Sequence, residues 1–238
     1  MNDPSPARAV CVFVLLLAGL STAAQDTYDD VLARLDAAEY VVRQAATEQL
    51  LTDDSLSPDA IATWAGRELS PEQQHRLLAV ARHHTLRQMR LAEFPAEGPG
   101  SIGVVQSIQT PPAKDEPAPA GVLITKILPG FPSVGRLYVG DVILAINGDP
   151  VEEGPAKDEL FRARMSQFRA GRVIRLTIQR GDNTIEVDLT LANGAALPQM
   201  YPKINNKFKL APRFVEGWQE ERRSRFTTLA PQLLKSPQ

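Results

Sequence analysis

The chain has 238 residues, enough to bury one good core or two small ones. Charged residues make up 23% and the formal net charge is −2, a balance that favours neither nucleic acid nor an anionic membrane as partner. The single cysteine, Cys11, lies in an apolar leader, so a chain cut after that leader has no disulfide, no thiol nucleophile and no cysteine-ligated zinc.

Residues 1–24 read as a secretory signal peptide. Arg8 starts it, Ala9–Leu20 is apolar, and Ser21-Thr22-Ala23-Ala24 offers small residues for cleavage near Ala23/Ala24 before polar Gln25-Asp26. The apolar run is short of the roughly 20 residues that span a bilayer. Asp3 weakens the positive start, which leaves an uncleaved anchor as the alternative; contact with a membrane is expected through that leader alone. The expected destination is the periplasm or the extracellular space.

From 25 to 91 the apolar spacing becomes helical. A first helix is predicted at Thr27–Leu35, with Val31, Leu32 and Leu35 on one side, and a second at about Ala38–Leu51, with Val41, Val42, Ala45 and Leu50 as its buried stripe. Ser57-Pro58 and Ser70-Pro71 each place a capping serine before a proline at the first helical position. They predict helices at about 58–67 and 71–90, the latter carrying Leu77, Leu78, Ala81, Leu86 and Met89. Ser70 and Gln73 also have capping-box spacing. His75, His83 and His84 lack a carboxylate or fourth ligand at useful spacing, so they are expected to face solvent or cap, with no metal. The segment EYVVRQAATEQLL (Glu39–Leu51) resembles a single HEAT-like helical repeat.

Residues 92–194 change character. Phe94-Pro95 and Glu97-Gly98-Pro99-Gly100 break the helix. Val122–Ile127 and Val142–Ile146 are β-rich, Gly140-Asp141 marks a tight turn, and Asn147-Gly148 is a strong hairpin signal. Gln109–Ala120 holds four prolines and reads as an extended loop. Pro150-Val151 is a short strand and Ala156–Gln167 a helix with Leu160, Phe161, Ala163, Met165 and Phe168 as its apolar face. Val173–Gln179 and Thr184–Leu191 form a hairpin about Arg180-Gly181-Asp182-Asn183.

The block from Gly121 to Gly148, with its strand, Pro-Gly connection, Gly-Asp-Val-Ile and Asn-Gly, resembles the centre of a bacterial PDZ domain. Two departures stand out. Phe131 replaces the usual small residue in Pro129-Gly130-Phe131-Pro132-Ser133, and Gly135-Arg136-Leu137 keeps part of a local motif. The aromatic either caps the core or touches the helical segment. The resemblance implies that Ser101, Ile102, Gly103 and Val104 form a loop whose backbone N–H groups hold a peptide carboxylate, since such a nest needs glycine-compatible angles. It further implies that Val105, Gln106, Ser107 and Ile108 continue the strand to which an extended peptide adds, opposite the helix bearing Phe161, Met165 and Phe168. Those three share a side at i, i+4 and i+7; plain core residues are the competing reading.

Residues 195–238 form an extension. Pro198, Pro202 and Pro212 are expected to keep 195–212 irregular. A helix is predicted at 213–230, with Phe214, Val215, Trp218, Phe226 and Leu229 inward and Glu220, Glu221, Arg222, Arg223 and Arg225 outward.

The expected fold is α+β, with N-terminal helical hairpins followed by a PDZ-like, partly open β-barrel or sandwich capped by helices. No His-Glu-x-x-His, no Asp-Thr-Gly and no segment long enough for a trypsin-like apparatus is present. The expectation is therefore a non-catalytic envelope adaptor, not an enzyme, without cofactor or catalytic residues. Its partners would be protein C-termini or extended peptides, with no nucleic acid. A scaffold whose groove is filled by its own tail, or a regulator of a separately encoded protease, is the alternative.

Overall fold

In a computed structural model of the protein, residues 28–106, 121–151 and 157–229 are described; the leader and Gln109–Ala120 lie outside them. The fold is α+β, with helices first, then an open antiparallel sheet that does not close into a barrel, then helices again. Among the described residues no helix is long and apolar enough to cross a membrane.

The first helices are α1 (residues 28–34), α2 (Tyr40–Thr52), α3 (Pro58–Ala65) and α4 (Pro71–Glu93). Ser57 caps α3 by accepting from the Ala60 N–H at 3.2 Å. Ser70 and Gln73 close a reciprocal capping box at the start of α4. Val31, Leu35, Leu50, Ile61, Trp64 and Leu77 meet in one core. The stripe on α2 is shifted by one residue from the predicted one. Ala46, Thr47 and Leu50 are buried, while Val41 is 76% exposed and Ala45 is exposed. Thr47 explains the shift: its hydroxyl donates to the Arg43 carbonyl and accepts from Arg76 of α4, so a polar residue can face inward.

The sheet has the order β2 (Val104–Gln106), β3 (Val122–Ile127), β4 (Val142–Ile146), β6 (Val173–Arg180), β7 (Asn183–Thr190), with β5 (Asp149–Pro150) folded back onto β4. Asn147 and Gly148 have φ of 53° and 84°, the two consecutive left-handed residues of a tight hairpin. A separate ladder joins β1 (Gly100–Ser101) to β8 (Ala192–Asn193), tying together the two ends of this unit. Helix α5 (Lys157–Gln167) lies along the sheet and buries Phe161 and Met165, while Leu160 and Ala163 are exposed. The expected five-residue apolar face is thus narrower, because α5 covers one edge of the sheet and leaves most of its circumference to water. Asp141 of the Gly-Asp turn is buried and held by both Nε and Nη2 of Arg180 at 2.9 and 2.8 Å. Its Oδ2 also accepts from the Tyr138 N–H at 2.7 Å, so this buried carboxylate is fully partnered.

The extension is more ordered than its prolines suggested. Ala196–Met200 forms α6, with Pro198 tolerated in its first turn. Lys203–Ile204 (β9) and Lys207–Phe208 (β10) then form a hairpin, because Asn205 and Asn206 take φ of 50° and 59°. Helix α7 (Pro212–Arg225) packs Trp218, with Phe226 and Leu229 beyond it, into the helical core. Arg222, expected outside, is buried at 7% exposure. It shares the inward face with Trp218 at i, i+4.

The two units meet along the connection before β4. Phe131, the departure from the family pattern, is 1% exposed and packs with Leu86, Leu128, Tyr201 and Phe214. It therefore makes the contact with the helices that was one of its two readings. Gly130 lies so close to α4 that a Cβ would come within 3.0 Å of the Leu86 backbone, and its φ is +84°. Its N–H donates to His83 Nδ1 at 3.1 Å, and its carbonyl accepts from Arg90 Nε at 2.7 Å. His83 and His84, expected to face solvent or cap, are buried. His84 Nε2 bonds the Leu50 carbonyl at 2.9 Å. His75 is exposed.

Two predictions follow from this junction. Burial, reinforced by His84 and nearby arginines, pushes the His83 imidazole down to about 3. Unfolded, it would titrate near 6.5. Below that pH the unfolded chain takes up a proton that the folded chain refuses. Stability is therefore full above about pH 7 and falls toward pH 3, by up to about 1.4 kcal/mol per unit. Urea midpoints between pH 7 and 5 should fall, and His83→Asn, which keeps an acceptor for Gly130, should flatten the slope; equal slopes would refute the assignment.

The second concerns Gly103, at φ +76°, where a Cβ would sit 2.0 Å from that of Phe131. Gly103→Ala should cost about 3 kcal/mol from left-handed strain plus overpacking, and Phe131→Ala about 3–5 kcal/mol. Chemical denaturation of the double variant should show a loss smaller than the sum by at least about 1 kcal/mol. Strict additivity would show that the clash is relieved elsewhere.

Candidate peptide groove

Strand β2 pairs on one side with β3. Beyond its other edge, facing α5, a cavity of about 610 Å³ opens. That volume falls in the range of sites that enclose ligands. The loop Ser101, Ile102, Gly103, Val104 lines one end, Val105 and Gln106 continue the wall, and Phe161 and Met165 of α5 stand opposite. Of the residues singled out in the sequence, these eight come together around one space. Phe168 does not join them. It lies past the end of α5, half-buried against the sheet core, with Arg172 over its ring at 5.5 Å and its carbonyl accepting from the Gly100 N–H at 2.6 Å. Ser107 and Ile108 lie outside the described residues.

The loop conformation has identifiable causes. The Ile102 and Gly103 carbonyls turn into the protein, accepting from the Ser133 N–H at 3.2 Å and the Leu128 N–H at 3.0 Å. Ser133 Oγ lies a further 3.3 Å from the Gly103 carbonyl, and the Gly103 N–H donates to Ser101 Oγ at 3.2 Å. Phe131 fills the space beneath Gly103, so a residue without a Cβ is required there on two counts. The connection 128–133 is thus the floor of the loop as well as the docking surface for α4.

Sequence reasoning missed a third wall. Leu197 of α6 and Lys203, Asn206 and Phe208 of the β9–β10 hairpin also line the cavity. Lys126 of β3 holds this hairpin by donating to the Phe208 carbonyl at 2.9 Å. The Asn205-Asn206 pair between two short Lys-led runs was the available signal. The charged side chains on the cavity wall are Arg162 and Lys203; no carboxylate lines it among the described residues. Among those residues, too, no group of histidines, cysteines or carboxylates is placed to hold a metal ion. Helix α7 lies against α4 and the helical core rather than in the groove.

Residues 100–191 match the family model described as PDZ domain. Over 88 residues the chain is 28% identical to the pro-apoptotic serine protease nma111 of Neosartorya fischeri and, equally, to that of Aspergillus fumigatus. The match covers 37% of this chain and 8% of either relative. Among solved structures, similarity extends to a serine endoprotease from Yersinia pestis, at 21% identity and a TM-score of 0.30, covering 41% of this chain and 29% of that one. The HtrA-type protease AlgW with a decapeptide shows 20% identity and a TM-score of 0.33, covering 40% and 29%. The expectation of a non-catalytic adaptor, not an enzyme, is corrected by these relatives, which are named as serine proteases. That expectation rested on missing catalytic motifs, which carry no information about the work a recognition domain serves. PDZ domains bind peptides or protein C-termini, and residues 100–191 of this chain are a PDZ domain.

Proposed function

We propose that the chain serves serine proteolysis of the HtrA type, and that its groove recognises the extended peptides on which that proteolysis depends. The observation that carries this reading is the open cavity between β2 and α5, bounded by a glycine loop and, among the described residues, by basic rather than acidic side chains. On this reading Ser101, Ile102, Gly103 and Val104 hold the terminal carboxylate. Val105 and Gln106 pair with the incoming strand. Phe161 and Met165 receive its last apolar side chain, while Phe168 fixes the end of α5. Arg162 and Lys203 attract the anionic end. The helical unit, with its HEAT-like segment, is the platform on which this domain is mounted, and residues 1–24 direct it out of the cytoplasm.

Fluorescence anisotropy with a labelled peptide ending in an apolar residue and a free carboxylate should show saturable binding, on the order of micromolar, about −8 kcal/mol. The same peptide amidated at its C-terminus should bind at least tenfold more weakly; equal affinity would remove the carboxylate role. Proteolysis is tested separately with the full chain, by turnover of fluorescent casein and labelling with a fluorophosphonate, each with and without peptide. Saturable binding with neither turnover nor label would overturn the protease half of the proposal. Mass spectrometry of the chain from its native host should find the mature N-terminus next to Ala23 or Ala24, and an intact N-terminus would refute the leader.

A further inference from the structure

Away from the groove, where α4 meets the connection before β4, three guanidinium groups converge on a second cavity. Its volume is about 130 Å³, room for about four water molecules and too small for a drug-sized ligand. Arg87 and Arg90 reach it from α4 and Arg136 from the connection. Asp54 is the one carboxylate that lines it among the described residues. That carboxylate is 62% exposed, at 3.2 Å from Arg87 and 3.7 Å from Arg136, so its pairing is screened by water.

Arg90 is in a different position. It is 5% exposed, and its Nε is spent on the Gly130 carbonyl while its guanidinium lies 5.5 Å over the Phe131 ring. Among the described residues no carboxylate lies within ion-pair distance of it. Burial, then Arg87, draw it down to about 10, still high enough to keep its proton at neutral pH. His83 lines the same cavity and is held neutral, its proton disfavoured by burial and then by His84 and these three arginines. A buried cation without a counter-ion, beside two more at the rim and against the apolar walls of Leu51, Phe131 and Leu191, is an arrangement that an anion would complete.

We propose that this junction cavity is a binding site for a small oxyanion of the phosphate class, with Arg90 as its buried contact and Arg87 and Arg136 as its rim. The planar guanidinium fork matches the oxygens of a phosphate pairwise. An ion held there contacts α4 and the sheet unit at once and ties them together. The proposal is independent of the peptide groove and of any proteolysis.

Thermal denaturation and titration calorimetry of the full chain, with sodium phosphate replacing chloride at constant ionic strength, provide the test. Phosphate should raise the midpoint by several degrees with saturation. Arg87→Gln combined with Arg136→Gln, checked for folding by circular dichroism, should weaken binding at least tenfold. Arg175→Gln, on the exposed face of the sheet beside Asp188, should respond as the unaltered chain does. Absence of a saturable response, or an equal response in the double variant, would overturn the site. A response to acetate as strong as that to phosphate would overturn the phosphate class in favour of carboxylates.

Discussion

The backbone of Gly130 is held through both its N–H and its carbonyl by one helix. His83 accepts its N–H and Arg90 donates to its carbonyl, while the missing Cβ lets α4 approach to contact. This docking fixes the 128–133 connection, and with it much else. Tyr201 donates to the Pro129 carbonyl at 2.8 Å, bringing the extension to the same place. Arg136 reaches back to the Thr52 carbonyl at 3.1 Å, engaging α2. Helices, sheet and extension are therefore joined around a single short segment.

The binding groove inherits its shape from that segment. Leu128 and Ser133 hold the loop carbonyls on one side, and the ring of Phe131 closes the space below Gly103. The extension adds the outer wall through Leu197 and the β9–β10 hairpin. No part of this arrangement requires α7 to enter the groove. Its aromatic residues belong to the helical core and the junction, so that, among the described residues, Phe214, Trp218, Phe226 and Leu229 lie away from the cavity.

Much of this was legible in the residues. Serine caps, the Asn-Gly hairpin and the strands Val122–Ile127 and Val142–Ile146 are local signals, and the structure forms them where they were expected. What failed depended on tertiary partners. Val41 and Ala45 are apolar yet outward, because Thr47 found polar partners inside. His83, His84 and Arg222 are polar yet buried; His83 Nδ1 meets the Gly130 N–H and His84 Nε2 the Leu50 carbonyl, partners that no sequence pattern announces. Phe168 shares a spacing with Phe161 and Met165, but the helix stops at Gln167 and the spacing no longer applies. Of proteolysis the residues offered only the alternative of a regulator of a separately encoded protease, through the family resemblance; the relatives matched over 88 residues are themselves named serine proteases.

The two outer strands of the sheet differ in how they meet solvent. Strand β7 alternates charged residues with apolar ones, including Glu186 and Asp188, both paired with Arg175, the usual guard against unwanted pairing. Val104–Gln106 carries no charge. An edge that receives a guest strand, as proposed for β2, cannot also be defended by charge, and a bare edge of this kind is open to pairing with a second copy. The β9–β10 hairpin, beside that edge with its lysines, narrows the approach and supplies electrostatic repulsion between copies.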